Sequence, residues 1–178
     1  MKAKTQSTQA IKSENIMRSP YIEKVVISAG ATGDDLVKAS KLLEMLSGRK
    51  VQIMQSTKRI PDFGVRPGLE VGVRVTLRKK EGVDLLKKLL CALDNTLKKQ
   101  QFSENHFSFG IKEYIEIPGT EYKREIGIRG LNVTVVFARK GLRVGKKKIK
   151  SGKLPKKQRI SKQEIINYMG ENFKTNFK

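Results

Sequence analysis

Four stretches of this chain alternate apolar and polar residues with a period of two, a period that suits a half-buried β-strand and little else. The clearest runs from Glu70 to Arg78, EVGVRVTLR: Val71, Val73, Val75 and Leu77 fall on one side, and Gly72, Arg74, Thr76 and Arg78 on the other. In HFSFGI, Phe107, Phe109 and Ile111 oppose Ser108 and Gly110; in LNVTVVFA, Leu131, Val133, Val135 and Phe137 oppose Asn132 and Thr134. YIEKVVISAG, Tyr21 to Gly30, alternates Val25 and Ile27 with Lys24, Val26 and Ser28. RKVQIMQ adds a short fifth strand.

Between these stretches the period lengthens to that of a helix. Leu36, Ala39, Leu43 and Leu46 form one stripe, widened by Val37 and Leu42. Thr32 and Asp35 have capping-box spacing at its start, and Gly48 marks its end. A second helix is predicted from Gly82 to about Gln100, carried by Leu86, Leu89, Leu90, Leu93 and Leu97. Ser161 and Glu164 repeat the capping-box spacing before Ile165, Ile166, Tyr168 and Met169, which predicts a short C-terminal helix. The order β-α-β-β-α-β-β with hairpin-like neighbours predicts an α+β fold: a largely antiparallel sheet with helices packed on one face.

The polar side of the Glu70–Arg78 strand is basic, and so is the whole chain. There are 38 Lys and Arg against 17 Asp and Glu, a formal net charge of +21 in 178 residues. Solubility needs only a few net charges, so an excess of this size points to a polyanion, and nucleic acid is the commonest. Between Arg49 and Lys80 nine basic residues face only Asp62 and Glu70. They fall on a strand face and on STKRIPDFGVRPG, whose prolines and glycines predict a long exposed loop. A second basic segment, residues 139–159, holds 11 Lys and Arg and no acid. Its glycines and prolines break any helix, and it reads as an extended arm. Cations spread over loops, a sheet face and an arm suit a folded RNA met through its phosphates and shape better than a DNA major groove read by one helix.

Catalysis has little to work with. Cys91 and His106 are the only residues of their types, which excludes an internal disulfide and the usual Cys/His metal clusters. Cys91 lies in a helical pattern and reads as a small packed side chain. GATGDD, Gly30 to Asp35, reads as a helix cap, because Asp34 and Asp35 would repel a phosphate there. HFSFGIKEY superficially resembles the base-stacking strand of RNA-recognition modules, but Phe107 and Phe109 share a face with Ile111 and read as core. The chain reads as a non-enzyme without cofactor or metal, and no apolar run is long enough to span a membrane.

ENIMRSPYIEKVVIS, KASKLLEMLSG, FGVRPG…VGVRVTLR, FSENHFSFGIKEYIEI, REIGIRGLNVTVVFARKG and RISKQEIINYMGENF follow one another along the chain. In that order they resemble the universal large-subunit ribosomal protein family that binds 5S rRNA, called L-five in bacteria and L-eleven in eukaryotes, and in particular its archaeal and eukaryotic branch. The resemblance runs from Glu14 to Phe173. It implies a structural protein of the central protuberance that holds 5S rRNA beside large-subunit rRNA, next to the other 5S-binding ribosomal protein. It further implies a loop that reaches P-site tRNA and a small-subunit head protein at an intersubunit bridge. Residence in cytoplasmic ribosomes follows, with a nuclear or nucleolar stage of assembly in a eukaryote. A free RNA-binding module, or an RNA-modifying enzyme on a similar α+β fold, is the alternative reading.

The candidate rRNA-binding residues are Lys24, Ser28, Arg49, Lys50, Arg74, Thr76 and Arg78, with Lys146, Lys147 and Lys148 of the arm. Gln55, Lys58, Arg59 and Arg66 form the candidate tRNA-side set on the loop from Met54 to Pro67. Against the family pattern, Ser28 replaces an asparagine, Arg49 replaces a glutamine, and Met54-Gln55-Ser56-Thr57 replaces Ser-Lys-Ala-Arg. The expected organisation is a disordered basic tail at 1–13, one α+β RNA-binding domain at 14–138, the basic arm at 139–160, and the C-terminal helix and tail at 161–178.

Overall fold

The computed structural model describes residues 17–178; the tail expected at 1–13 lies outside the described residues. In chain order the elements are β1 (Tyr21–Gly30), α1 (Asp34–Ser47), β2 (Gln52–Gln55), β3 (Glu70–Arg78), α2 (Lys79–Cys91) and β4 (Thr96–Leu97). There follow β5 (Phe102–Ser103), β6 (His106–Ile111), β7 (Leu131–Ala138), α3 (Arg143–Lys146), α4 (Lys162–Phe173) and β8 (Asn176–Phe177). Six strands form one sheet in the order β2-β3-β1-β7-β6-β5, with every neighbouring pair antiparallel. The fold is α+β, as the alternation predicts.

Register puts the apolar sets of neighbouring strands on one side. Val25 pairs with Leu77 and Val135, and Ile27 pairs with Val75 and Val133. Phe107 and Phe109 continue those rows on β6, opposite Val135 and Val133. All of these side chains are buried in one cluster with Leu36, Ala39, Leu42 and Leu43 of α1, Leu86, Leu89 and Leu90 of α2, and Ile165 and Met169 of α4. Phe107 stacks on Phe102 with ring centroids 4.9 Å apart, so the aromatic strand is core, as its spacing predicts.

The ends of the helices differ in part from expectation. Gly48 stops α1 in the left-handed conformation, and its N–H donates to the Glu44 carbonyl at 2.8 Å. The N-cap is Gly33, not Thr32, and no side chain caps it. Thr32 stands one residue too early to reach the third helical N–H. Val37 faces solvent, so the stripe of α1 is narrower than predicted.

α2 ends at Cys91, well before Gln100. Asp94 and Asn95 both adopt left-handed φ, and their short polar side chains tolerate it. Leu97 stays buried, but on β4, which is why a helical period persists in the sequence beyond the helix. β4 pairs in parallel with β8, a contact between the middle of the chain and its last residues that local patterning does not reveal. The capping box of α4 forms in both directions: Glu164 N–H donates to Ser161 Oγ, and Ser161 N–H donates to the Glu164 carboxylate.

Two segments that read as loops in the sequence are tied down. Between β2 and β3, Ile60 and Val65 form a bridge and Gly68 N–H donates to the Ser56 carbonyl, which closes a narrow hairpin. Its charges are exposed as expected, but Val65 is buried. Between β6 and β7, residues 112–130 wrap a fully buried Tyr114, whose hydroxyl accepts from Lys123 N–H at 2.9 Å. Gly130 allows this crossing, since a Cβ there would sit 2.8 Å from the carbonyl oxygens of Ile111 and Lys112.

Adjacent residues on β3 should therefore respond in opposite ways to substitution. Val73→Asp would place a charge without a partner in the core and should lower unfolding free energy by about 3 kcal/mol or more. Arg74→Ala should leave the melting temperature almost unchanged. Thermal denaturation of the two variants checks this, and destabilisation by Arg74→Ala alone would mean that the two faces are reversed.

Candidate nucleic-acid interface

The registers that build the core also build the opposite face. Lys24 pairs with Arg78, Val26 with Thr76, and Ser28 with Arg74 across β1 and β3. On the other side of β1, Val26 pairs with Thr134 and Ser28 with Asn132. On β6, Ser108 pairs with Thr134 and Gly110 with Asn132. Five of the predicted rRNA-binding residues, Lys24, Ser28, Arg74, Thr76 and Arg78, thus stand on two adjacent strands of one face. All are half-buried or exposed. The edge strand extends that face: Gln52 of β2 lies beside Arg74 and accepts from its Nε at 3.0 Å. That contact holds the guanidinium while leaving its outer nitrogens available.

The other predicted residues border this platform. Arg49 and Lys50 precede β2, and Arg49 reaches Glu81 at 2.6 Å, just past the Arg78 end of β3. The arm begins where β7 ends, so it leaves from the Lys24 end of the sheet, and Lys146 forms an ion pair with Glu23 beside Lys24. Two of the ten predicted cations and polar groups therefore already have acidic partners. Lys24, Lys50, Arg78, Lys147 and Lys148 make no ion pair among the described residues. Gln55, Lys58, Arg59 and Arg66 lie at the opposite end of the sheet, on the β2–β3 hairpin, with Phe63 exposed among them. The structure thus places the two predicted sets towards opposite ends of β3, with Gln55 beside Glu70 and the rRNA set running from Arg74 to Arg78.

The arm lacks regular structure apart from α3 and one 3-10 turn, yet both of its ends are anchored. Arg139 donates from Nη1 to the Lys157 carbonyl at 2.9 Å and from Nη2 to both carboxylate oxygens of Glu164 at 2.7 Å. Gln158 donates to the Lys140 carbonyl, and Ile160 N–H donates to Asn105 Oδ1 at 2.8 Å. Of the lysines between these anchors, Lys146 is held beside the platform by its pair with Glu23. Near the same anchors Tyr168 packs edge-on against Phe137, and burial pushes its phenol above the ordinary value.

Charge is segregated over the surface. The 112–130 segment carries four acids, Glu113, Glu116, Glu121 and Glu125, against four bases, so it is neutral in a chain of net +21. It is fastened to α1 by Arg129–Asp35 and Lys41–Glu125 pairs, and it exposes Ile115, Tyr122 and Ile128. Cys91 is exposed at the end of α2, contrary to the packed position expected of it, because α2 stops there and its last residue turns away from the core. His106 is also exposed, with Nδ1 facing the Glu104 carbonyl. Among the described residues no group of three or more His, Cys, Asp or Glu could hold a metal ion, and no helix is long and apolar enough to cross a membrane.

Residues 15–66 match the ribosomal protein L5 family, and residues 70–168 match the model of that family's C-terminus. The chain belongs to the ribosomal protein L5 family. The two matched regions meet in the β2–β3 hairpin. The large ribosomal subunit protein uL5 of Sulfolobus acidocaldarius is 42% identical over 170 residues, covering 94% of this chain and 96% of that protein. The uL5 protein of Picrophilus torridus is 41% identical over 164 residues, covering 90% and 93%. That of Nanoarchaeum equitans is 42% identical over 161 residues, covering 89% and 95%. Membership in the L5 family makes the chain a ribosomal protein with a structural, non-enzymatic role, and its archaeal relatives agree with the branch suggested by the sequence.

Sequence reasoning passes over Gln52, Ser108, Asn132 and Thr134, which share the platform with the predicted cations. Each stands on the polar side of an alternating strand, which is the available signal, but none carries a charge to draw attention to it. Only strand pairing brings them together.

The anchoring of the arm is open to direct test. Arg139→Ala should remove a charge-assisted contact worth about 2 kcal/mol and raise amide hydrogen exchange at Gln158, Arg159 and Ile160 at least tenfold. Protection of β1 and β7 should persist. Unchanged exchange at those three amides would show that Arg139 does not hold the arm.

Proposed function

We propose that this chain is a structural constituent of the large ribosomal subunit whose open sheet face holds 5S rRNA beside large-subunit rRNA in the central protuberance. One observation carries the reading: β1 and β3 pair Lys24 with Arg78 and Ser28 with Arg74 on a face that the core leaves uncovered. Cations in fixed positions on a flat surface suit phosphates presented by a folded RNA, and RNA is met through shape and backbone more than through its deep major groove. The residues proposed to touch rRNA are Lys24, Ser28, Lys50, Arg74, Thr76, Arg78, Lys147 and Lys148. Arg49 and Lys146 join them once their carboxylate partners are exchanged for phosphates.

The β2–β3 hairpin is proposed to reach P-site tRNA through Lys58, Arg59 and Arg66, with Gln55 at its base. Lying at the far end of the sheet from the arm, it can meet a second RNA while the platform is occupied. Protein neighbours, namely the other 5S-binding ribosomal protein and a small-subunit head protein at an intersubunit bridge, find a suitable surface in the neutral 112–130 segment. Its exposed Ile115, Tyr122 and Ile128 offer apolar contact without excess positive charge. The division into a 14–138 RNA-binding domain, a 139–160 arm and a 161–178 C-terminal element is part of this reading. So is residence in cytoplasmic ribosomes.

Binding to 5S rRNA should fall linearly with salt on logarithmic axes. Lys146→Gln/Lys147→Gln/Lys148→Gln should make the slope shallower by about 2 to 3, since each lost phosphate contact removes roughly 0.7–0.9. Filter binding across a salt series measures it. A flat response from the wild type would sink the phosphate-dominated interface, and an unchanged slope in the triple variant would remove the arm from it.

The hairpin predicts a separate phenotype. Ribosomes carrying Lys58→Ala/Arg59→Ala should assemble with normal 5S rRNA content yet hold P-site tRNA less tightly. The loss should be similar across tRNA species, because phosphate contacts do not read sequence. Sedimentation with RNA quantification checks assembly, and tRNA binding to the purified particles checks the site. Normal tRNA affinity would refute the role, and loss of 5S rRNA would move both residues to the assembly side.

A further inference from the structure

The open face has two chemically different halves. On β1, β2 and β3 it carries Lys24, Arg74 and Arg78, with Gln52 steadying Arg74. Continued across β7 and β6, the row of Ser28 and Arg74 holds Asn132 and Gly110, that of Val26 and Thr76 holds Thr134 and Ser108, and that of Lys24 and Arg78 holds Val136 and His106, with no Lys, Arg, Asp or Glu among them. In a chain with 38 Lys and Arg, a surface meant only to gather phosphates would not need an uncharged half. Hydroxyls and a carboxamide are groups that both donate and accept hydrogen bonds, whereas a phosphate only accepts.

Local geometry makes these groups available. Asn132, Ser108 and Gly110 are exposed, and Thr134 is half-buried. Ser108 Oγ and Thr134 Oγ1 lie 3.0 Å apart, so only one of their two protons is used between them. The Asn132 carboxamide has no hydrogen-bond partner among the described residues. Its Oδ1 would be 3.2 Å from a Cβ at residue 110, so Gly110 leaves a shallow floor over which that carboxamide lies. From β3 to β6 are three strand spacings, or about 14 Å. A flat face of that width cannot enter the deep, narrow major groove of an RNA helix, but it can lie along the wide, shallow minor groove. There the 2′-hydroxyl, itself both donor and acceptor, is the group that distinguishes RNA from DNA.

We propose that Asn132 and the Ser108–Thr134 hydroxyl pair read the ribose edge of an A-form helix, so that β6 and β7 set the preference for RNA over DNA while the cations of β1 and β3 set affinity. This rests on the open-face reading given above. It assigns a contact role to three residues that carry no charge.

The test uses the full chain and two 20-base-pair duplexes of one sequence, one RNA and one DNA, in filter binding at several salt concentrations. The wild type should bind the RNA duplex at least tenfold more tightly. Asn132→Ala, and separately Ser108→Ala/Thr134→Val, should weaken RNA binding at least fivefold, leaving DNA binding and the salt slope unchanged. Arg74→Ala should weaken both duplexes and make the slope shallower by about 0.9. Asn132→Ala breaks no side-chain hydrogen bond among the described residues, so it keeps the test usable if the double variant melts early. Equal losses on RNA and DNA, or an unchanged preference in Asn132→Ala, would overturn the proposal. A wild type that binds neither duplex in a salt-dependent way would overturn the interface reading itself, and this inference with it.

Discussion

The antiparallel pairing of β1 with both β3 and β7 governs the rest of the molecule. Val25 and Ile27 are completely buried at the centre of the sheet, and each is matched on both sides by another core residue. Side chains alternate with a period of two, so the register that buries these residues also fixes which groups reach the opposite face. A slip of β1 by one residue would expose Val25 and Ile27 and bury Lys24 and Ser28. Core and interface are two outcomes of a single set of hydrogen bonds, and burial of the apolar set specifies where the cations stand.

A net charge of +21 must also be accommodated in the folded state. The structure does so by spatial separation. Cations that face solvent on the platform, the hairpin and the arm are kept apart from the acids, most of which lie on α1, α2, α4 and the 112–130 segment. Where acid and base do meet, the contact holds a segment in place: Arg139 with Glu164 anchors the arm, Arg129 with Asp35 fastens the 112–130 segment to α1, and Arg49 with Glu81 borders the platform. Exposed pairs of this kind add little stability individually. Arg139 is the exception, because its guanidinium is largely buried and also supports the Lys157 carbonyl.

Much of this is legible without coordinates. The four alternating strands, the stripe of α1 apart from Val37, the stop at Gly48 and the capping box of α4 all depend on residues close together in sequence, and the structure bears each of them out. The stop of α2 is hidden because Leu93 and Leu97 keep a helical spacing while belonging to a turn and to β4. Asp94 and Asn95 are the available signal, since both tolerate the left-handed conformation that ends the helix. Cys91 is misplaced by the same error. Among the candidate site residues, charged ones are easy to find and uncharged ones are not, because charge is visible one residue at a time and a platform of Ser, Thr and Asn is visible only as a set.

Taken alone, the sequence determined the faces of the four long strands and the presence of α1, α2 and α4, because periodicity of apolar residues is a local property enforced by burial. The single turn of α3, in the arm whose glycines and prolines were expected to break any helix, has no such period. It also determined that the partner is a polyanion, because no arrangement of 38 bases and 17 acids hides that excess. Tertiary structure decided which strands lie side by side, and so which polar groups share a surface. Strand order is set by how several half-buried faces cover one another and the helices, a condition that involves the whole chain at once. For that reason Ser28 meets Asn132 from a distant part of the chain, the arm returns to Asn105 and Glu164, and β8 closes on β4.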